Sequence, residues 1–360
     1  MSKTAKELSI EEVYRLLDHL MAFPAEHTGV IRPLFIWGRP GLGKTEMVRD
    51  YAASRGLGFS YCAPAQFEEM GDLHGIPEVE DGQTIYRKPS WIPEDNGKPG
   101  ILLLDDMNRA DPRIIRGVMQ LAQLHELMSW KLPANWLIVC TGNPDTSDFQ
   151  TTILDDAVMT RFIHVRTRFD KLVWARWAMN NGIPEIGVNF VLTHPELVEK
   201  GKLTNARTLT SFFRLISGLT PWKQHTDLIE TLGFGLLDQE TIVSFFNFLN
   251  NSAAQIPEPE TILYSKNTAE LTAALKALLA HKDGVRLDLF STAFNRLYLA
   301  CEKPLQHPVN VENLVAMFQL PEIPNDFRTF MFVEFGRLKN PELQGLMKDR
   351  RIATAVLQGA

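Results

Sequence analysis

The first regular pattern along this chain is helical. Ile10, Val13, Leu16, Leu17 and Leu20 recur every three or four residues, which predicts a helix with one buried face. Ser9-Ile-Glu-Glu12 stands in front of it with the spacing of a capping box. From residue 31 to about 168 the pattern changes to short, solidly apolar runs separated by helical stretches. The runs at 34–37, 59–63, 101–105, 136–141 and 162–166 predict five strands. Solid rather than alternating hydrophobicity predicts that both sheet faces are covered, so the class is α/β with a parallel five-stranded sheet.

Between the second and third runs, Asp72-Leu-His-Gly75 and the alternating stretch from Gly82 to Trp91 carry turn residues, and a small projecting hairpin is expected there. After residue 168 strand signals fade. Helical spacing at 170–179, 208–216 and 240–249 predicts a helical lid, and Ile256-Pro-Glu-Pro-Glu-Thr261 reads as a linker. Amphipathic stretches at 269–279 and 287–300 predict a helical C-terminal extension. The expected organisation is therefore an N-terminal helix at 1–30, an α/β core at 31–168, a lid at 169–256 and an extension at 257–360.

Composition narrows the class without changing it. With 360 residues, 45% hydrophobic, 22% charged and a net charge of −6, the chain has ample core material and no broad attraction for nucleic acid or anionic membranes. The N-terminus has no apolar signal core and no apolar run reaches spanning length, so a soluble cytoplasmic protein is expected. Cys62, Cys140 and Cys301 lie far apart, and His74, His125 and His164 lack ligand spacing, so neither a disulfide framework nor a zinc site is expected.

The chemistry begins at Gly38-Arg39-Pro40-Gly41-Leu42-Gly43-Lys44-Thr45, which fits the phosphate-loop pattern GxxxxGK[ST]. It follows the apolar run Leu34-Phe35-Ile36-Trp37 and opens a helical stretch, the setting in which successive N–H groups can turn toward phosphate oxygens. Lys44 would reach the β and γ oxygens of a bound triphosphate and the Thr45 hydroxyl would bind Mg²⁺. A second apolar run ends in Asp105-Asp106. Asp105 is the candidate for the Mg²⁺ shell and Asp106 for orienting the attacking water, with helix capping as the plainer role for such aspartates. A third run ends in Thr141-Gly-Asn143-Pro, bringing an amide suited to the γ-phosphate to the same sheet edge.

Together with Leu154-Asp-Asp-Ala-Val-Met-Thr-Arg161-Phe162, these blocks resemble an AAA+ ATPase, and within that superfamily its MoxR-like branch. The resemblance covers residues 31 to about 215. It implies ATP and Mg²⁺ as cofactors, Asn143 as the first sensor, Arg161 as an arginine finger serving a neighbouring subunit, and Arg207 as a second sensor on the lid. It also implies a homo-oligomeric ring, usually a hexamer, that remodels or matures a client protein, often one with a von Willebrand factor A-type domain. The chain departs from the family at Asp106, where most relatives carry glutamate, and the retracted carboxylate implies either slow hydrolysis or a water that bridges the gap. Two other functions stay open: a nucleotide-gated scaffold with little turnover, and an NTPase motor associated with nucleic acid. Tyr86 and Trp91 in the hairpin region, with Arg87 and Lys88, suit either a grip on substrate in a ring pore or packing against their own sheet, and packing is favoured.

Overall fold

The structure, a computed structural model, describes residues 5–23, 33–144, 152, 154–251, 255–281 and 284–357. The chain divides into two compact units, Met1–Asp170 and Lys171–Ala360.

The first unit is built on a parallel sheet of β1 (Lys6–Leu8), β2 (Leu34–Trp37), β3 (Gly58–Cys62), β6 (Gly100–Leu104), β9 (Trp136–Gly142) and β10 (Ile163–Thr167). Their order is β1-β10-β2-β9-β6-β3. All five strands read from the sequence are present. The sixth, β1, adds to the edge beside β10, where three residues with only Leu8 buried carry no legible period. The central strands show why they read as solidly apolar. Leu34 and Ile36 face one layer with α1 (Ile10–Ala22) and α2 (Lys44–Ser54). Phe35 and Trp37 face the other, with residues of α4 (Pro112–Leu124). Every strand residue then lands in a core, as strands covered on both faces require.

Ser9 caps α1 in the expected capping box, accepting from the Glu12 N–H at 3.2 Å while the Glu12 carboxylate accepts from the Ser9 N–H at 2.9 Å. After α3 (Met70–His74), the hairpin is β4 (Ile76–Glu80) paired antiparallel with β5 (Gln83–Arg87), shifted toward the N-terminus of the expected stretch. Asp81 and Gly82 form its turn with φ of 50° and 72°, the positive values a two-residue hairpin needs. Tyr86 and Trp91 pack against the core, and Trp91 meets Trp130 edge to face at 6.0 Å. A small ladder of β7 (Glu126–Leu127) and β8 (Trp130–Lys131) follows α4, and the one-turn helix α5 (Asp156–Met159) precedes β10.

The second unit is helical. Its first part contains α6 (Lys171–Asn180), α7 (Glu185–Thr193), α8 (Pro195–Lys200), α9 (Ala206–Ile216), α10 (Thr226–Leu236) and α11 (Gln239–Asn251). Phe190, Phe212, Phe213 and Phe245 interlock there at tilted and edge-to-face angles. The expected linker is instead packed: Ile256 is buried and Pro259 opens the short helix α12 (Pro259–Tyr264), a first-turn position where proline loses no hydrogen bond. Next come α13 (Thr268–Leu279), a short ladder of β11 (Ala280–His281) and β12 (Gly284–Val285), and α14 (Leu287–Cys301). The remainder, α15 (Val311–Phe318), α16 (Asn325–Arg337), α17 (Pro341–Leu346) and α18 (Arg350–Leu357), shares a core around Phe294, Phe318 and Phe335.

The three cysteines are free and buried. Burial pushes the Cys62 and Cys301 thiols up to about 12 and raises Cys140 as well, which leaves them unreactive core residues. Among the described residues no helix is long and apolar enough to cross a membrane.

Candidate functional site

The site forms where β2, β6 and β9 end. β2 delivers the chain into Gly38, whose N–H donates to the Gly142 carbonyl of β9 at 3.2 Å. The following turn needs glycine twice for conformation, with φ of 76° at Gly41 and 81° at Gly43. Gly38 is needed for space, since a Cβ there would stand 2.8 Å from the Thr167 hydroxyl oxygen and 3.3 Å from Cδ of Lys44. Gly43 is the residue before α2 and supplies no side-chain cap, which suits a helix start that meets a phosphate chain. This glycine-lined cradle at a helix start fits a phosphate chain.

Lys44 is buried, 7% exposed, and its ammonium donates to the Gly38 carbonyl at 2.8 Å, the Arg39 carbonyl at 3.2 Å and Oδ1 of Asn143 at 3.0 Å. Beside it the Thr45 hydroxyl donates to Oδ2 of Asp105 at 2.8 Å. A hydroxyl and a carboxylate in contact form the oxygen donor set a hard divalent cation takes. Thr141 fixes this carboxylate from the other side, its hydroxyl donating to Oδ1 of Asp105 while accepting from the Asp106 N–H at 3.0 Å. The Tyr61 hydroxyl reaches Oδ2 of Asp105 at 3.4 Å. Burial, together with the Asp105 and Asp106 charges, raises the Tyr61 pKa and keeps that phenol a donor.

Asp106 adopts the left-handed region, φ 49° and ψ 38°, which aspartate tolerates better than most residues. Oδ1 of Asp106 accepts from Nδ2 of Asn143 at 3.0 Å, so a single amide joins the loop lysine to the second acid. Arg109 lies 3.9 Å from Asp106, but both side chains are well exposed and the pair contributes little.

Asn143 is held by Asn108. Nδ2 of Asn108 donates to the Asn143 carbonyl at 2.8 Å, and its Oδ1 accepts from the Asn143 N–H at 3.1 Å. A methyl group at Gly142 would meet both this oxygen and the Phe35 ring, which ties the glycine to the clamp. The sequence signals for Asn108 and Thr141 were their places next to the acidic pair and the sensor amide.

Of the expected site residues, Gly38, Arg39, Lys44, Thr45, Asp105, Asp106 and Asn143 are joined in one hydrogen-bonded group, with Pro40 to Gly43 forming the loop between them. Arg161 is not part of it. It follows α5, and its guanidinium donates to the Gln123 side chain at 2.8 Å and to the Ala157 carbonyl, not to Asp155 or Asp156. Asp155 instead caps α5 through the Val158 N–H. Arg207 belongs to the second unit, exposed in the first turn of α9, where Asn205 caps the helix.

Residues 33–162 match the AAA domain family, dynein-related subfamily, in agreement with the phosphate loop and the parallel sheet. An ATP-dependent protease ATP-binding subunit-like protein of Rhodococcus erythropolis is 26% identical over 132 residues, 34% of this chain and 37% of that protein. A protein named as a candidate chaperone, BssE of Thauera aromatica, is 27% identical over 159 residues, 42% of this chain and 54% of that one. The chain thus spans between about a third and about half of the length of these curated relatives. Two variants of RuvB from Thermotoga maritima are similar at 14% identity with TM-scores of 0.37 and 0.38, covering 79% of this chain and 88% and 87% of theirs.

Proposed function

We propose that this protein is a Mg²⁺-dependent ATPase of the MoxR-like branch that works as a cytoplasmic ring, a hexamer, and remodels or matures a client protein. The observation that carries the reading is the continuous bond path from Lys44 through Asn143 to Asp106, beside the Thr45–Asp105–Thr141 contact. It couples the group that meets the β and γ phosphates to the group that meets the attacking water.

Thr45 and Asp105 would hold Mg²⁺, which supplies charge neutralisation on the phosphate oxygens. Lys44 exchanges its carbonyl and amide partners for phosphate oxygens when nucleotide binds. Asn143, released from Lys44, donates to the γ-phosphate or the water, and Asp106 orients that water and accepts its proton. Arg161, whose present partners are neutral, extends to the nucleotide of a neighbouring copy, where a guanidinium in other nucleotide hydrolases raises the rate roughly 10³ to 10⁵. By resemblance Arg207, on the lid at 169–256, serves as the second sensor, and the extension at 257–360 contacts the client, which carries a von Willebrand factor A-type domain. The candidate chaperone name of one relative agrees with a protein client.

One observation favours a second reading as a nucleotide-gated scaffold: the Asp106 carboxylate is short and already engaged by Asn143. The test is turnover with Lys44→Ala beside it. Loss of ATP binding and hydrolysis in the variant is expected, and undiminished hydrolysis would remove the site.

A further inference from the structure

His164 lies between two segments that the proposed function gives to different active sites. On one side is Trp37, the residue before the phosphate loop, whose indole N–H donates to Nδ1 of His164 at 2.9 Å. On the other is the Met159 carbonyl, 2.7 Å from Nε2. An indole nitrogen only donates and a carbonyl only accepts, so Nδ1 carries the lone pair and Nε2 the proton. Both ring nitrogens are committed in one neutral tautomer. Burial lowers the His164 pKa, the Met159 bond opposing it, in keeping with a neutral ring.

The segment held this way is short. α5 is a single turn, Asp156–Met159, too brief to be stable alone, and its last carbonyls have no partner within the helix. His164 satisfies the Met159 carbonyl, two residues before Arg161. Phe162, on the other side of Arg161, meets the Phe35 ring edge-on at 5.6 Å, and Phe35 stacks on Trp37 at 4.2 Å. Arg161 is therefore bracketed by two contacts that both lead back to the strand carrying the phosphate loop.

We propose that His164 is a positioning residue that fixes the Arg161 segment through its Nε2–H bond to Met159, setting the arginine for the neighbouring copy's nucleotide. This rests on the reading of Arg161 as acting across subunits.

Two substitutions separate the two sides of the ring. His164→Gln reaches as far as Nε2 and keeps a donor for the Met159 carbonyl. His164→Asn keeps an acceptor near Nδ1 for Trp37 but cannot reach Met159. The experiment measures steady-state ATP hydrolysis of the full chain with Mg²⁺ for both variants and for Arg161→Ala, alone and in equimolar mixture with Lys44→Ala, with melting curves alongside. His164→Asn is expected to lose roughly ten- to a hundredfold in kcat with little change in KM, the scale of an approximately 1 Å misplacement, while His164→Gln keeps most of its turnover. Lys44→Ala subunits, which lack a working loop but carry an intact Arg161 segment, should restore turnover to His164→Asn as they do to Arg161→Ala. Equal effects of Gln and Asn would overturn the proposal. So would restoration of Arg161→Ala without restoration of His164→Asn, which would place the defect in the subunit's own loop. Normal hydrolysis by Arg161→Ala would instead refute the reading of Arg161 itself.

Discussion

Replacing Asn108 with alanine tests how the sensor amide is held. Asn108 and Asn143 are 2% and 1% exposed, so water does not reach the Asn143 N–H and carbonyl that Asn108 pairs at 3.1 and 2.8 Å. Asn108→Ala removes both partners at once. Leaving one buried backbone group unmade costs about 1–3 kcal/mol, so the two together give roughly 2–6 kcal/mol, less where the new cavity admits a water. Denaturant melts followed by tryptophan fluorescence read the stability, because Trp37 and Trp136 report on the first unit. Asn143 would also lose its fixed position between Lys44 and Asp106, so kcat should fall by up to about a hundredfold with ATP affinity changed far less. Asn108→Asp is the sharper control, as it keeps the acceptor but turns a carboxylate oxygen toward the Asn143 carbonyl, and it should be no more stable than the alanine variant. A shift within about 0.5 kcal/mol and unchanged turnover for Asn108→Ala would refute the clamp.

Two further outcomes follow. Asp106→Glu should preserve or raise ATP turnover, because the added methylene extends the carboxylate past Asn143 toward the water; a collapse in kcat would show that the shorter acid is fitted to its water. In the second unit, burial pushes the Asp238 carboxyl up, but the N–H groups of Thr204, Leu203 and Lys202 and the Thr204 hydroxyl outweigh it and hold the pKa below the usual range. Its stabilisation is complete above the unfolded value near about 4 and is lost as pH falls through the lower folded value. Asp238→Asn should start about 1–3 kcal/mol less stable and lose less on acidification below pH ~4, and parallel melting curves against pH would contradict this.

What the sequence made legible was set by local rules. The phosphate loop shows its glycines because only they allow the positive φ at Gly41 and Gly43, and the central strands show because burial on both faces leaves them apolar until Thr141 at the site. The Asp81-Gly82 turn was equally written, yet the alternation after it drew the expected hairpin toward Trp91. The rest depends on partners distant in the chain. Asn108, just past the acidic pair, shows its use only when β9 brings Asn143 against it, 35 residues away. His164 lacks metal spacing, and its use appears only when β10 pairs with β2 and places it beside Trp37. The proline-rich run at 256–261 has linker composition, and only the burial of Ile256 and Ile262 shows that it packs.

The central claim, an ATPase whose active site is completed between copies, is tested most directly by steady-state ATP hydrolysis per subunit across a wide range of protein concentration with Mg²⁺ present. The rate is expected to rise cooperatively with concentration and to lose that rise in Arg161→Ala. A rate near zero at every concentration despite ATP binding, or a rate independent of concentration and of Arg161, would contradict it.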